Sequence, residues 1–319
     1  MERFLAIDLG GTKTAVCVGN TDGTLVAHSR MPTGADEPPE GWLDRLSELL
    51  QRVLSEAGCG IADLSSVGLA VPGPMSVKRG MVLEPPNMPA WRNVPIKEWV
   101  EELTGLPVHI NNDANAAGLA EYFFGEFKGT PDLVYLTMST GVGGGIISGG
   151  QLVQGADDLG GEVGHIVLNP DGPPCPCGLR GCFEMYCGGR NVIQQVRTRL
   201  QPGAASLILE ESGGTPDEIT ISAIARAAGR GDALAREFWD AYIDRLAQGI
   251  GLLAMSFNPS VVVLGTVAIH LGDILLKPLR ERLPRYAWRL AIERLAIRPS
   301  ALGPQIGELG ALALALPPR

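Results

Sequence analysis

Short apolar runs separated by glycine-rich turns open the chain. Residues 3–9 form the first run, the Gly-Gly-Thr-Lys turn at 10–13 follows, and a second run covers 15–19. The dipeptide Asp22-Gly23 then leads into a third run at 24–28, and Asp-Gly between apolar runs is a strong hairpin signal. The pattern predicts three consecutive strands.

The same order of elements returns later in the chain. Residues 133–138 read as a strand, 139–143 as a turn and 144–148 as a strand, and a Gly-Gly turn precedes a further strand at 151–154. This similarity predicts an internal repeat, two related halves that each offer a phosphate-sized turn. The alternative is that two meanders of strands look alike by chance.

Longer periodic segments lie between and after these strands. Apolar residues recur at helical spacing over 42–54 and 233–257, whereas short β-branched runs predict buried strands. A final apolar helix is expected to pack on the first half, and a segment mixing Pro, Gly, Ser and acids is expected to be an exposed connection. The strands are predicted at 67–71 and 260–264, the final helix at 306–316 and the connection at 201–218.

The composition is that of a globular protein, with 45% apolar and 19% charged residues. A net charge of −9 argues against a nucleic-acid partner but is compatible with a nucleotide held by a local cradle of backbone N–H groups. The apolar runs are too short to cross a membrane, and the N-terminus enters a strand without a signal-peptide pattern. We therefore expect a cytoplasmic protein with no membrane partner.

The turn at 10–13 is the first candidate site for chemistry. Gly10 and Gly11 allow backbone N–H groups to approach phosphate oxygens, Thr12 and Lys13 add a hydroxyl and a positive charge, and Asp8 is suited to Mg²⁺. It is not a P-loop, because a strand and not a helix follows. The alternative is an ordinary glycine hairpin.

The second turn, Thr140 to Gly145, contains more glycine than a packed strand junction requires. Each glycine costs about 0.5–1 kcal/mol relative to alanine, so the run suggests that a ligand approaches closely at Thr140, Gly141 and Gly143. Together the two turns predict a polyphosphate site.

Asp113 follows the predicted strand 108–110, where an alanine-rich helix begins. Ligands of open α/β sheets bind at the carboxyl ends of strands, and phosphoryl transfer needs a carboxylate to accept the proton of the attacking hydroxyl. The alternative is that Asp113 only caps the helix.

One histidine and three cysteines predict a metal site. Three cysteines lie within eight residues, and of four histidines only one is near them. This donor set is typical of a closed, structural, tetrahedral zinc site. A redox dithiol or buried free thiols are the alternatives. The predicted ligands are His165, Cys175, Cys177 and Cys182.

With these motifs the sequence resembles the ROK family (repressors, open reading frames, kinases). The resemblance extends from the opening Asp-Leu-Gly-Gly-Thr-Lys to Gly307-Glu308-Leu309-Gly310-Ala311, and Glu-x-Gly-His followed by Cys-x-Cys-Gly-x-x-Gly-Cys-x-Glu is specific to the family. Within it, the bacterial ATP-dependent glucokinases are the most similar. The resemblance implies ATP-dependent phosphorylation of a hexose, most of all glucose to glucose 6-phosphate, with Mg²⁺ as catalytic cofactor and zinc as structural cofactor.

The resemblance also implies roles by position. Asp113 matches the general base that activates the sugar 6-hydroxyl, and one ring nitrogen of His165 would face the sugar while the other binds zinc. The two glycine turns match the phosphate loops for MgATP. The remaining hexose contacts would be Gly73, Asn87, Asn112, Glu162 and Glu184, and the adenosine contacts Gly265 and Thr266. One departure is that family members have a Gly-Gly pair where this chain has Gly265-Thr266.

The fold implied is α/β, a two-lobed actin-like ATPase fold in which a ribonuclease H-like unit is duplicated. We expect a small lobe of residues 1–112 and 300–319 and a large lobe of 113–299, with Asp113 and the sugar in the cleft between them. The family suggests a homo-oligomer, a dimer or tetramer.

Other functions are separable from this one. Kinases for N-acetylmannosamine, N-acetylglucosamine, fructose or allose share the hydroxyl-binding residues. Sugar-responsive ROK regulators carry an N-terminal DNA-binding domain, for which the strand at residue 3 leaves no room. A non-catalytic actin-like ATP-binding protein would not need the zinc and sugar elements.

Overall fold

The computed structural model describes residues 2–200 and 206–317, and the chain divides into two compact units. The first unit contains the residues up to Gly129, the segment Leu152–Gly160 and the residues from Leu302 onward. The second contains Thr130–Gln151 and Gly161–Ala301. No helix among the described residues is both long enough and apolar enough to cross a membrane.

Strands and helices alternate along the described chain, as expected for an α/β protein. The strands are β1 Arg3–Leu9, β2 Lys13–Asn20, β3 Leu25–Pro32, β4 Leu64–Val71, β5 Met75–Ser76, β6 Met81–Val82, β7 Val108–Asn112, β8 Leu133–Met138, β9 Val142–Ser148, β10 Gln151–Leu152, β11 Val261–Leu264 and β12 Ala296–Pro299. The helices are α1 Glu40–Ala57, α2 Ile96–Thr104, α3 Asp113–Phe124, α4 Phe183–Cys187, α5 Gly189–Arg199, α6 Leu207–Glu211, α7 Ile221–Gly229, α8 Ala233–Phe257, α9 Val267–Leu271, α10 Asp273–Arg282, α11 Arg289–Ile292 and α12 Ile306–Ala315.

The first unit is built on a five-stranded sheet of order β3-β2-β1-β4-β7. Strands β1, β2 and β3 pair antiparallel, whereas β4 and β7 continue the sheet parallel to β1. Helices cover both faces, so β1 is apolar along nearly its whole length: Leu5 and Ile7 lie in one core, Phe4 and Ala6 in the other. The third strand is longer than predicted and continues to Pro32.

The second unit repeats this topology. Its sheet has the order β10-β9-β8-β11-β12, with β9 antiparallel to β8 and with β11 and β12 parallel to it. The internal repeat predicted from the sequence is therefore confirmed, and α8 has the predicted bounds. In the expected exposed connection 201–218, residues 201–205 lie outside the described residues, and the rest includes α6 and a 3₁₀ turn at Pro216–Glu218.

The second glycine turn is shorter than predicted. Val142, Gly143 and Gly144 are already part of β9, paired with Met138, Thr137 and Leu136 of β8. Gly144 is explained by packing, because a Cβ there would lie 2.7 Å from Cγ2 of Val163. The turn itself is Ser139–Gly141, closed by a hydrogen bond of 3.0 Å from the Ser139 N–H to the Gly141 carbonyl.

Helix α12 packs directly on the first sheet, as the sequence predicted for the final helix. A Cβ on Gly68 of β4 would lie 1.8 Å from the carbonyl oxygen of Ala311, and one on Gly310 would lie 2.8 Å from the carbonyl carbon of Ala116 in α3. The first unit therefore includes α3 and extends through Gly129, whereas the sequence analysis placed the boundary at residue 112. Small residues at these contacts let α3, α12 and the sheet approach one another.

Replacing Gly68 by alanine tests this packing. Because the new Cβ would overlap backbone atoms of α12, we expect Gly68→Ala to lower the free energy of unfolding by about 1–3 kcal/mol. Chemical denaturation followed by circular dichroism measures it. Gly41→Ala in α1 is the control, since its Cβ would meet only Arg45 Nη1 at 3.6 Å. Equal stability of the two variants would refute the packing argument.

Candidate active site

The carboxyl edge of the first sheet brings Asp8 and Asp113 close together. Asp8 lies opposite Ala70 and Ala70 opposite Asn111, so the ends of β1, β4 and β7 are in register. Asp113 is the first residue of α3, two positions beyond Asn111. After burial, the charge of Asp113 is the largest influence that raises the pKa of Asp8, as expected for two nearby carboxylates.

The cap of α3 is Asn112 and not Asp113. The side-chain oxygen of Asn112 accepts a hydrogen bond of 2.9 Å from the Ala114 N–H, which is N-cap geometry. The Oδ1 of Asp113 also accepts from this N–H, at 2.7 Å. The N-cap position therefore belongs to Asn112, and one oxygen of the exposed Asp113 carboxylate shares the Ala114 N–H with it.

The pKa of Asp8 is raised to about 7, first by burial and then by the charges of Asp113 and Glu308, against the opposing effect of Lys13 and Arg30. Its Oδ2 lies against the start of α12, where a Cβ on Gly307 would be 2.2 Å away. Burial and like charges disfavour the ionised form of this carboxyl group, and a divalent cation with oxygen ligands would stabilise that form. The residues present therefore fit Mg²⁺, which Asp8 would hold.

Glu308 and Arg30 belong to this site, and the sequence analysis did not include them. Glu308 is 3% exposed, and its Oε1 accepts hydrogen bonds from both Nε (3.0 Å) and Nη2 of Arg30. A single acid in the apolar helix Ile306–Ala315 was the available signal, because a buried carboxylate needs a partner.

The first glycine turn is a tight hairpin that neighbouring residues stabilise. The Gly10 N–H donates to the Lys13 carbonyl at 2.9 Å, and Thr33 bonds the carbonyls of Gly10 (2.7 Å) and Thr12 (3.0 Å). Thr12 and Lys13 are exposed, as a phosphate-binding role would require. Asn87 lies beside this turn: a Cβ built on Gly11 would be 3.5 Å from the Cβ of Asn87.

Gly73, the remaining candidate of the first unit, follows the carboxyl end of β4. It lies on the loop that joins β4 to the β5–β6 hairpin. Apart from Asn87, the candidates of the first unit thus lie at the carboxyl ends of β1, β4 and β7 or directly after them.

In the second unit, Glu162, His165 and Glu184 form a cluster. Loss of hydration raises the pKa of Glu162, the charge of His165 opposes this, and the charge of Glu184 adds to it. A 3₁₀ turn at Val163–His165 holds Glu162 and His165 at its two ends, with the His165 N–H bonded to the Glu162 carbonyl at 3.1 Å. A Cβ on Gly164 would lie 2.1 Å from the Val142 carbonyl oxygen, so this turn packs directly on β9.

Glu184 also contacts the second glycine turn. Its Oε2 accepts a hydrogen bond of 3.1 Å from the Val142 N–H, and a Cβ on Gly141 would lie 2.1 Å from the same oxygen. Thr140 is exposed, and its carbonyl accepts from the Arg190 N–H at 3.1 Å. A side chain at position 141 would therefore displace the Glu184 carboxylate.

The predicted zinc ligands converge. Their donor atoms all lie within 4.8 Å of one another, with 3.7 Å between His165 Nδ1 and Cys175 Sγ and 3.7 Å between the sulfurs of Cys177 and Cys182. A tetrahedral ion with Zn–S bonds of about 2.3 Å separates two sulfurs by about 3.8 Å. The four residues fit zinc, and binding through Nδ1 would leave Nε2 of His165 for another partner.

Glycines allow the loop to close around these ligands. Gly178 and Gly181 have φ of 92° and 66°, in the left-handed region that glycine tolerates. The Gly178 N–H donates to the Cys175 carbonyl at 3.0 Å, and a Cβ on Gly181 would lie 1.6 Å from the Asn169 carbonyl oxygen. A metal bound by the four residues would cross-link this loop to the 3₁₀ turn that carries His165.

Thr266, the departure from the family pattern, adopts a conformation that favours glycine. Its φ is 41°, which is strained for a β-branched residue. Its hydroxyl lies 3.2 Å from that of Thr137, within hydrogen-bonding distance. Gly265 and Thr266 directly follow the carboxyl end of β11. A Cβ on Gly265 would lie 2.4 Å from the hydroxyl of Tyr135 in the neighbouring strand β8.

Comparison with known proteins identifies relatives of this chain. The model of the ROK family matches residues 4–317. A glucokinase from Thermotoga maritima is 32% identical over 98% of this chain and 96% of its own length. A xylose repressor from Caldicellulosiruptor bescii is 31% identical over 98% of this chain and 78% of its own. An N-acetylmannosamine kinase from Shigella flexneri is 37% identical over 70% and 74%.

Two solved structures are similar over the whole chain. A ROK hexokinase from Thermus thermophilus superposes with a TM-score of 0.84 at 34% identity, covering 98% of this chain and 97% of its own. A ROK family glucokinase from Streptomyces griseus, in complex with glucose and AMPPNP, gives a TM-score of 0.79 at 33% identity, covering 98% and 99%.

Removing one thiol tests the metal site. We expect the purified protein to hold one zinc ion per chain and Cys177→Ser to lose most of it, because three donors bind zinc far more weakly than four. Mass spectrometric metal analysis measures the content. Cys59→Ser is the control, since Cys59 lies in the first unit. Wild-type levels of zinc in Cys177→Ser would exclude Cys177 as a ligand.

Proposed function

The chain belongs to the ROK family and is a sugar kinase, and we propose that it transfers the γ-phosphoryl group of ATP to the 6-hydroxyl of a hexose, with glucose as the preferred acceptor. The interacting pair Asp8 and Asp113 at the carboxyl edge of the first sheet carries this proposal. It provides one carboxylate for a cation and another for a proton.

Asp113 would act as the general base. Its position at the start of α3 places the carboxylate near the positive end of the helix dipole, which favours the ionised form that can accept the proton of the 6-hydroxyl. Phosphoryl transfer requires little covalent chemistry from the protein beyond this proton transfer and the positioning of both substrates.

Mg²⁺, bound with the nucleotide, would neutralise charge on the phosphates, and Asp8 would hold it. The phosphates would contact the two glycine turns, through Gly10, Gly11, Thr12 and Lys13 in one and Thr140, Gly141 and Gly143 in the other. The adenosine would bind at Gly265 and Thr266. At Thr266 the adenosine would meet a threonine side chain, where family members have a glycine.

The hexose would be recognised by its hydroxyls. Carboxylates accept hydrogen bonds from hydroxyls, and the clustering of Glu162 and Glu184 beside His165 supports this role. If zinc binds Nδ1 of His165, it fixes the orientation in which Nε2 faces the sugar. The further contacts proposed are Gly73, Asn87 and Asn112.

The repeated sheet supports a duplicated, ribonuclease H-like fold of the actin-like ATPases. We keep the two-lobed organisation and a homo-oligomer, dimer or tetramer, as parts of the proposal. A sugar-responsive regulator is the second candidate, because a xylose repressor is among the relatives. Such a protein would bind a sugar without phosphorylating it.

Substituting the proposed base gives the first kinetic test. Asp113→Asn should lower kcat by about 10²–10⁴-fold, because general-base catalysis contributes on this scale, while glucose affinity measured by calorimetry changes little. Asp36→Asn, an exposed carboxylate of the same unit, is the control and should retain activity. Near wild-type turnover in Asp113→Asn would remove Asp113 from its role.

A panel of acceptors tests the substrate. With MgATP, we expect the highest kcat/KM for glucose among glucose, N-acetylmannosamine, N-acetylglucosamine, fructose and allose. A coupled assay of ADP formation measures it. A higher value for another sugar would reassign the acceptor but keep the kinase, and binding without turnover for every sugar would favour the regulator.

A further inference from the structure

Glu184 joins two groups of residues that the proposed function keeps apart. On one side are the candidate hexose residues Glu162 and His165, where the charge of Glu162 interacts with those of His165 and Glu184. On the other is the turn Ser139–Val142, here called the phosphate turn, whose Val142 N–H donates to Glu184 Oε2 at 3.1 Å. All of these residues lie in the second unit.

We propose that Glu184 is a positioning residue that couples hexose binding to the conformation of the phosphate turn, so that a bound hexose raises the affinity for nucleotide. This inference rests on the proposed function and adds a role for Glu184 beyond contact with the sugar. Val142 N–H is a donor to a charged acceptor, and such bonds are shorter and stronger than those between neutral groups.

The main chain after Glu184 also supports the phosphate turn. The Gly189 N–H donates to the Ser139 carbonyl at 2.8 Å, and the Arg190 N–H donates to the Thr140 carbonyl at 3.1 Å. A Cβ on Gly189 would lie 2.6 Å from the Ser139 oxygen, so the contact is direct. The turn is therefore held by the segment that carries Glu184, through its side chain and its backbone.

The Glu184 segment is itself anchored at its start. Cys182, one of the proposed zinc ligands, lies two residues earlier, and the Phe183 ring packs on α8, where a Cβ on Gly249 would lie 2.4 Å from that ring. Because this end is fixed, a change in the carboxylate of Glu184 is transmitted to the phosphate turn and is not absorbed by the backbone of α4.

The sign of the coupling follows from side-chain freedom. A hexose hydroxyl bound to the carboxylate restricts it to one rotamer, and in that rotamer Oε2 holds the Val142 N–H. The nucleotide then binds a turn that the sugar has already ordered, so nucleotide binding no longer carries that entropy cost. Immobilising one such side chain corresponds to a coupling of roughly twofold to tenfold in affinity.

Gly141→Ala tests the coupling from the nucleotide side. The new Cβ would lie 2.1 Å from Glu184 Oε2 and displace the carboxylate. We expect glucose affinity, measured by calorimetry without nucleotide, to fall at least roughly fivefold, although Gly141 is proposed to contact phosphate and not sugar. Gly229→Ala in α7, where a Cβ meets nothing within 4 Å, is the matched control.

Glu184→Ala tests it from the sugar side and does not depend on the fold of the first variant. Without hexose, we expect its affinity for a non-hydrolysable ATP analogue to fall roughly threefold to tenfold, because Val142 loses its acceptor. Saturating glucose should raise the wild type's affinity for the analogue roughly twofold to tenfold and should leave that of Glu184→Ala unchanged. Glu162→Ala is the control: its carboxylate belongs to the same cluster, but the side chain that accepts from the Val142 N–H is that of Glu184. It should weaken hexose binding only.

The outcomes distinguish a failure of the coupling from a failure of the proposed kinase function. If the wild type binds and phosphorylates glucose but folded Gly141→Ala binds it as tightly as the wild type, or Glu184→Ala binds the analogue normally, the coupling is wrong and the kinase stands. If the wild type binds no hexose, both fall. If Gly141→Ala does not fold, the Glu184→Ala and Glu162→Ala comparison decides alone.

Discussion

The burial of one carboxylate beside two others is the constraint on which the candidate site of the first unit depends. Burial raises the pKa of Asp8 most, the charges of Asp113 and Glu308 raise it further, and Lys13 and Arg30 act in the opposite direction. Such an arrangement costs free energy in the empty protein and gains it when a cation enters. A magnesium–nucleotide complex is a ligand that such a site would favour, whereas a neutral sugar alone would not relieve the repulsion.

The packing that maintains this arrangement uses the smallest side chains. Gly68 and Gly310 let α12 lie against the sheet and against α3, which brings Gly307 to Asp8 and Glu308 to Arg30. In the second unit, Gly141 and Gly164 have the same effect around Glu184 and the 3₁₀ turn. Close backbone contact thus gives the acidic residues fixed positions, and preorganisation of this kind lowers the cost of binding.

The sequence was most informative where one residue type has few roles. The cysteine and histidine spacing indicated the cluster that the structure brings together, and alternating apolar runs predicted the repeated meander. It was least informative about glycine. The glycine-rich run Thr140 to Gly145 was attributed to a ligand, but its Gly144 makes room for Val163, because the neighbours of a glycine depend on tertiary contacts. Glu308 was missed for a similar reason, since its partner Arg30 is distant in sequence.

The position of the phosphate on the product tests the central claim most directly. After incubation of the protein with glucose and MgATP, phosphorus and carbon NMR identifies the carbon that carries the new phosphate ester. We predict glucose 6-phosphate, formed in an amount equal to the ADP released. Release of ADP without sugar phosphate, or a phosphate on another hydroxyl, would contradict the assignment of Asp113 as the base for the 6-hydroxyl.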